Sequence, residues 1–355
     1  VGPFGYITDL NKQLSDSHGR GFPFESADVA DSLYIDGWNS NRLIKSLLVI
    51  QNSANPIFAG IGFGKPHLPF TAPKKFWDLY STKRIDSLFN ILPKSRPSSR
   101  PDLTLNNSAE LRKYFGVPLT ANLSDSLSKQ LIHGYLACLS YIDHLFGQIV
   151  SHLKSTNQYD ESMIIVFSDH GMKIGEYNTW SKHTNLEVDC KVPLTIKYPD
   201  QKKGAIDEKM SELIDIFPTI LDVLDLEADN LNLDGSSLLN NKKMFSLSQW
   251  KRSDTQGYSV RTKNFRYTGW FQDGSLVYEE LYDKNKGIYD IENIAYDIKQ
   301  LNTIYQHRKL LHDATKVFKN DEYIMKSFSD LKYSIGHSNE EVVVKFLKVY
   351  KKIEI

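Results

Sequence analysis

The run Val166-Phe-Ser-Asp-His-Gly-Met172, followed by Gly175-Glu-Tyr-Asn-Thr-Trp-Ser-Lys-His183, gathers a carboxylate, two imidazoles and an ammonium in one short stretch. An apolar strand running into Asp169-His170-Gly171 would deliver them beyond a strand's carboxyl end, where α/β proteins collect ligands. Asp169, His170, Lys182 and His183 together suit an anionic ester held beside a metal ion. A second apolar run, residues 57–63, leads into Gly64-Lys-Pro-His-Leu-Pro-Phe70, where two prolines flank His67. Singly, each residue has a plainer use. Asp169 can cap the turn that follows it, His67 can be a structural hydrogen-bond partner, and Lys182 can be a solvated charge. The chemical reading comes from their combination at two strand ends.

The elements that must position these groups follow from hydrophobic period. Residues 1–30 are polar and turn-rich and read as an irregular lead-in. Residues 39–51 carry Leu43, Ile44, Leu47 and Leu48 at helical spacing, and residues 57–63 read as a buried strand. Residues 82–125, rich in Ser, Pro, Asn and Arg, read as a long surface excursion. The clearest helix covers residues 127–153, with Leu131, Tyr135, Cys138, Leu139, Ile142, Phe146, Ile149 and Leu153 on one stripe. Strands are expected over residues 163–167 and 192–198, and a helix over 214–224. This alternation favours a mostly parallel sheet with helices on its faces. Past residue 240, β-forming runs at 258–262, 265–271 and 276–282 predict a small antiparallel sheet. Asp273-Gly274 marks one of its hairpins. A helix is expected over residues 298–318, and the Lys-rich stretch from Asn320 is assigned no function. Two units are therefore expected, 1–240 and 241–355.

Bulk properties exclude several classes. The 355 residues hold 43 Lys+Arg and 43 Asp+Glu, so no overall field argues for nucleic acid or a membrane surface. Nineteen Tyr and 18 Phe mark a folded chain. No apolar run approaches the roughly 18 residues that span a bilayer. Two cysteines make no disulfide framework, and Cys138 reads as a buried thiol. The chain begins at Val1 without Met or a basic-then-apolar leader, which suits a processed chain or a fragment and leaves localisation illegible.

Gly64-Lys-Pro-His-Leu-Pro-Phe70, Ser168-Asp-His-Gly171, Gly175-Glu176 with Trp180-Ser-Lys182, and Val192-Pro-Leu194 stand in an order that resembles the formylglycine-dependent sulfatases. The iduronate-2-sulfatase branch is most similar. Tyr135-Leu-Ala-Cys-Leu-Ser-Tyr-Ile-Asp143, Asp215-Ile-Phe-Pro-Thr219 and Gly257-Tyr-Ser-Val-Arg-Thr262 support the resemblance. It implies an alkaline-phosphatase-like α/β fold and calcium-assisted hydrolysis of sulfate esters on a sulfated sugar or polysaccharide. By family position Asp169 is a calcium ligand with His170 beside it, His67 faces the sulfate and protonates the leaving alkoxide, and Lys182 binds the sulfate. Calcium's preference for oxygen favours Asp169 over His170. An imidazole titrates near neutrality, which suits the exchange expected of His67. Lys65, His183, Tyr177 and Trp180 are the expected substrate contacts. Family habit implies a secreted, periplasmic or lysosomal location; the sequons at Asn106 and Asn122 add little, since such triplets arise by chance.

Two departures qualify the resemblance. Relatives often have Gly-Glu-His-Gly where this chain has Gly175-Glu-Tyr-Asn178, a change expected to alter the sugar pocket. The family's paired aspartates and its C-x-P-S-R or S-x-P-S-R nucleophile motif are not present. Ser95-Arg-Pro-Ser-Ser-Arg100 imitates that motif, but its second Arg falls one place late and no helix start accompanies it. The formylglycine would then come from a segment outside this chain, such as a separate N-terminal chain, and this chain alone would be inactive with an unpaired sheet edge. Two other readings stay open. One is a phosphodiesterase or phosphonate hydrolase of the same superfamily, with His183 among two-zinc ligands; the other is a non-catalytic sulfated-glycan binder or inactive fragment.

Overall fold

The computed structural model of the chain describes residues 5–97, 100–227 and 231–318. Its first core forms where a long helix lies across a short parallel ladder. Helix α1 (Asp9–His18) and strand β1 (Phe24–Ala27) open the chain, where the sequence suggested an irregular lead-in. Their anchor is the buried carboxylate of Glu25. It accepts hydrogen bonds from Ile7 N at 2.8 Å, Thr8 N at 3.1 Å, Asn11 Nδ2 at 3.1 Å and the Tyr34 hydroxyl at 3.0 Å. Such a network of separated polar groups satisfies a buried charge but leaves no hydrophobic period to read.

Helix α2 (Ile35–Ile50) precedes strand β2 (Phe70–Pro73), which pairs in parallel with β1, Phe24 opposite Phe70. Residues 57–63 form no strand: Phe58 is 89% exposed, and the run shares no ladder with another described segment. An apolar run becomes a strand only where a neighbour offers its N–H and C=O groups.

The excursion expected over residues 82–125 is instead woven into the core. After α3 (Lys74–Trp77), helix α4 (Thr82–Ile91) starts at a Ser81 cap whose hydroxyl accepts from Arg84 N, and it buries Ile85 and Phe89. Helix α5 (Pro101–Thr104) and the segment after it bury Leu103, Leu105, Leu111, Tyr114 and Val117. Apolar residues spaced among Ser, Asn and Pro suffice to pin short pieces to a larger surface. For α4, Leu111, Tyr114 and Val117 that surface is α6 (Asp125–Ser155), capped by the Ser124 hydroxyl, whereas Leu103 packs on Trp270 and Tyr278 and Leu105 on Tyr282. Of the predicted stripe α6 buries Leu131, Cys138 and Ile149, while Leu139 is 39% exposed; the buried face also takes in Ile132, Gly134, Ala137, Tyr141 and Leu145, turned toward β2 and α3. Gly134 has no room for a side chain, since a Cβ there would meet Phe70 at 2.8 Å and Trp77 at 2.9 Å.

Beyond α6 come β3 (Ile164–Phe167), β4 (Lys173–Ile174), β5 (Trp180–Ser181), α7 (Glu187–Cys190), β6 (Leu194–Lys197) and α8 (Ile216–Val223). Strand β3 pairs antiparallel with β6, and β4 with β5. The β3 end is open, with Val166 38% and Phe167 51% exposed. A four-stranded antiparallel sheet follows, in the order β10-β9-β8-β7: β7 (Phe245–Arg252), β8 (Thr255–Thr262), β9 (Phe265–Gln272) and β10 (Ser275–Asp283). Asp273 and Gly274 both take positive φ, 50° and 75°, the two-residue turn their types favour. Strand β7 was not legible, because Ser, Gln and Lys at this sheet edge mask the alternation. Helix α9 (Leu301–Thr315) closes a second core with Val260, Tyr267, Leu281, Ile304 and Leu311. The stretch from Asn320 and part of the Ser95–Arg100 look-alike lie outside the described residues.

Candidate active site

The His67 loop hangs on Asp36, in the first turn of α2. Its buried carboxylate accepts from Gly64 N at 2.7 Å and Lys65 N at 3.0 Å. The Lys65 ammonium turns back on the carbonyls of His67 (3.1 Å) and Pro69 (2.6 Å), and burial lowers its pKa. A cation that ties two carbonyls of its own loop fixes that loop's shape, and among the described residues its third N–H stays free for another acceptor. The loop carries cis peptides at Lys65-Pro66 and Leu68-Pro69. It leaves the His67 ring half-exposed, with Nδ1 2.6 Å from the Leu68 carbonyl and Nε2 3.1 Å from Glu110 Oε1. Both ring nitrogens therefore face acceptor oxygens, and the two bonds are complete only when the ring carries both protons.

The second loop leaves β3 at Phe167. Ser168 Oγ donates to the His170 carbonyl at 2.8 Å, and Asp169 Oδ1 accepts from His170 N at 3.0 Å. The Asp169 carboxylate is well exposed. The His170 ring is held within its own turn, with Nδ1 2.8 Å from the Gly171 carbonyl and Nε2 3.4 Å from Asp169 Oδ2. Gly171 is required by close approach, because a Cβ would stand 2.0 Å from the Val188 carbonyl oxygen. Gly171→Ala is expected to cost about 1–3 kcal/mol, the usual range for overpacking, and to shift the Asp169–His170 turn. Urea unfolding checks the first point, and a variant as stable as the parent would show that the Val188 backbone yields freely.

Lys182 sits between two strained residues, Ser181 at φ 66° and His183 at φ 79°. Positive φ in a non-glycine residue costs of order 1–3 kcal/mol and clusters at functional sites. Surrounding contacts hold the strain: Asn106 Nδ2 donates to the Lys182 carbonyl, and Arg252 Nη2 donates to the His183 carbonyl at 3.1 Å. The His183 ring stacks on Trp250, centroids 4.8 Å apart and planes within 8°. Burial lowers the His183 pKa, the Lys182 ammonium and His170 lower it further, and Glu110 and Asp189 oppose them. The carboxylate that pairs with His67 thus shares an electrostatic field with His183, Lys182 and His170.

Tyr177 and Trp180 do not face this field. Tyr177 is fully buried beside Leu105, Leu186 and Tyr282, and its hydroxyl accepts from Asp290 N at 3.0 Å. Trp180 belongs to the first core, and its backbone N–H donates to Ser108 Oγ at 2.9 Å. Both side chains are buried in the described fold, Tyr177 fully and Trp180 to 5% exposure. Glu110, Asn106, Trp250 and Arg252 were missed. In the sequence Asn106 stands out only as a glycosylation sequon, whereas its amide is spent inside the fold, on Lys182 and on Ser108 N.

Asp169 offers the oxygen donors that calcium favours, but calcium takes 6–8 of them. Among the described residues no group of three or more His, Cys, Asp or Glu is placed to hold a metal. Asp169 and His170 supply two adjacent donors of opposite preference, an exposed carboxylate and an imidazole. No described helix is long and apolar enough to cross a membrane.

Comparison with known proteins bears on family and fold. The profile of the family described as Sulfatase matches residues 14–226. A sulfatase of Formosa agariphila is 28% identical over 70% of this chain and 49% of its own length. Iduronate 2-sulfatase of Mus musculus is 26% identical over 82% of this chain and 66% of its own. The chain thus spans between about half and two thirds of these relatives. The solved structure of a phosphonate monoester hydrolase from Silicibacter pomeroyi shares the fold, with a TM-score of 0.67 and 23% identity over 82% of this chain and 62% of that one.

Proposed function

Because the chain belongs to the sulfatase family through residues 14–226, we propose that it is the larger part of a calcium-assisted sulfate ester hydrolase acting on a sulfated sugar or polysaccharide. The observation that carries this reading is the convergence of two distant loops: His67 is joined to Glu110, and Glu110 acts on His183 beside Lys182. In this reading Lys182 holds the sulfate and offsets the charge that builds on it. Its ammonium has no carboxylate partner among the described residues, so it is available to an anion. His67, held by Leu68 and Glu110, gives its proton to the leaving alkoxide. His183 lines the site against Trp250. Asp169, with His170 beside it, contributes to a calcium site completed from outside this chain.

The nucleophile is a formylglycine hydrate, supplied by a segment or separate chain of the same protein. The unit 1–240 carries the site, and 241–355 closes it from the Trp250 side. A secreted, periplasmic or lysosomal location fits such a substrate.

The test is intact-mass and peptide mapping of the protein from its native source, followed by sulfate release from a sulfated disaccharide. A C-x-P-S-R or S-x-P-S-R peptide with its first residue oxidised to formylglycine is expected. His67→Ala and Lys182→Ala should each lower kcat/KM by about 10²–10³. Turnover of phosphonate or phosphate esters in place of sulfate, or unchanged rates in both variants, would refute the assignment.

A further inference from the structure

Behind the Lys182–His183 backbone lies a cleft of about 490 Å³, lined among others by Arg96, Arg112, Arg252, Asn106, Asn178 and Thr120. That volume is within the roughly 300–1,000 Å³ of small-molecule sites. Two of its walls are the residues that fix the site loop, since Asn106 bonds the Lys182 carbonyl and Arg252 the His183 carbonyl. The guanidiniums are held by neutral groups. Arg112 donates to the carbonyls of Asn107 (2.9 Å), Pro118 (2.6 Å) and Ala121 (3.1 Å), and Arg252 also donates to Leu105 O at 2.9 Å.

Neutral acceptors orient a guanidinium without cancelling its charge. The one carboxylate in the lining, Asp102, is already bound in a fork by Arg100, at 3.0 and 2.8 Å. Arg252 Nε is buried with no partner within the protein. That nitrogen is enclosed, so it is the rest of the guanidinium that borders the cleft. Three cations facing one cleft, with the lone acid neutralised, select for an anion that a planar fork can grip.

We propose that this cleft is a second anion-binding subsite, which takes a non-reacting sulfate group on the same oligosaccharide whose reacting sulfate lies at Lys182. The proposal rests on the sulfatase reading for the identity of the ligand. It makes the enzyme select substrates by a sulfate it does not remove.

Calorimetric titration of the full chain with two disaccharides tests this, one carrying a single sulfate and the other a second sulfate on the adjoining ring. The disulfated probe should bind at least about tenfold tighter, as one charge-assisted hydrogen bond gives. Arg96→Gln and Thr120→Glu alter exposed cleft positions without touching the fold's anchors. Each should bring the ratio close to one and leave the monosulfated probe unchanged. Lys182→Ala should weaken both probes and keep the ratio. Absence of binding, absence of a preference, or a preference that survives both cleft variants would overturn the subsite. If the cleft variants lose the preference while Lys182→Ala changes nothing, the subsite stands and the sulfatase assignment of Lys182 falls.

Discussion

Glu187→Ala is expected to destabilise the protein by about 3–5 kcal/mol, the range for breaking a buried ion pair by removing one partner. Glu187 opens α7, four residues after His183, and its Oε2 receives Arg261 from β8 at 2.8 Å and Arg266 from β9 at 2.7 Å. Arg266 is only 3% exposed, so loss of the carboxylate strands a guanidinium in the interior. The same residue donates its N–H to Asp290 Oδ2 at 2.6 Å. One acid thus joins the four-stranded sheet to the loop that carries Lys182. Burial pushes the Glu187 pKa up, but Arg266 and Arg261 outweigh it and hold the value at about 2, against 4.5 for a free glutamate.

A carboxylate with a depressed folded pKa contributes stability that is complete above the unfolded value and lost as pH falls through the folded one. Wild-type protein should therefore lose this contribution between pH 4.5 and about 2, and Glu187→Gln should lack that component. Urea midpoints across the window measure it. Equal slopes for the two proteins would mean that the pair contributes nothing to folding.

Asp189→Ala should cost a similar amount, about 3–5 kcal/mol. Lys173 is fully buried in β4, and its ammonium is bonded by Asp189, which also accepts from Thr184 Oγ1 at 2.6 Å. Without Asp189 the ammonium keeps only a Thr184 hydroxyl at 3.5 Å. The Asp189 carbonyl also receives Gly171 N at 2.8 Å, so this pair sits directly beneath the Asp169–His170 turn. The double substitution Lys173→Met with Asp189→Leu removes both charges and should restore most of the lost stability, because no ion is left unpaired. A double variant as unstable as Asp189→Ala would show that the cost lies in packing or in Thr184 rather than in the stranded charge.

The elements legible in the sequence were those written by neighbours along the chain. The stripe from Leu131 to Ile149 makes α6 because a 3.6-residue period acts on residues within a turn or two of each other. Asp273-Gly274 makes its hairpin because two residues alone set the turn. What could not be read were elements held by distant polar groups. Strand β1 depends on a Glu25 network reaching from Ile7 to Tyr34, α4 depends on α6, and α5 depends on Trp270, Tyr278 and Glu280 of the distant four-stranded sheet.

For the site, the sequence by itself determined which residues could do chemistry and in what order: His67, Asp169, His170, Lys182 and His183 all carry groups whose reactivity is intrinsic to their type. It also determined family membership, since the motifs are local strings. Direction and company were decided by the tertiary structure. Lys65 straps its own loop, and Tyr177 turns inward to meet the N–H of Asp290, 113 residues away. Glu110 reaches His67, and Trp250 and Arg252 close on His183, from segments that no spacing rule connects to them. A side chain's chemistry is fixed by its covalent structure, but its orientation, burial and neighbours are fixed by whichever distant segment packs against it.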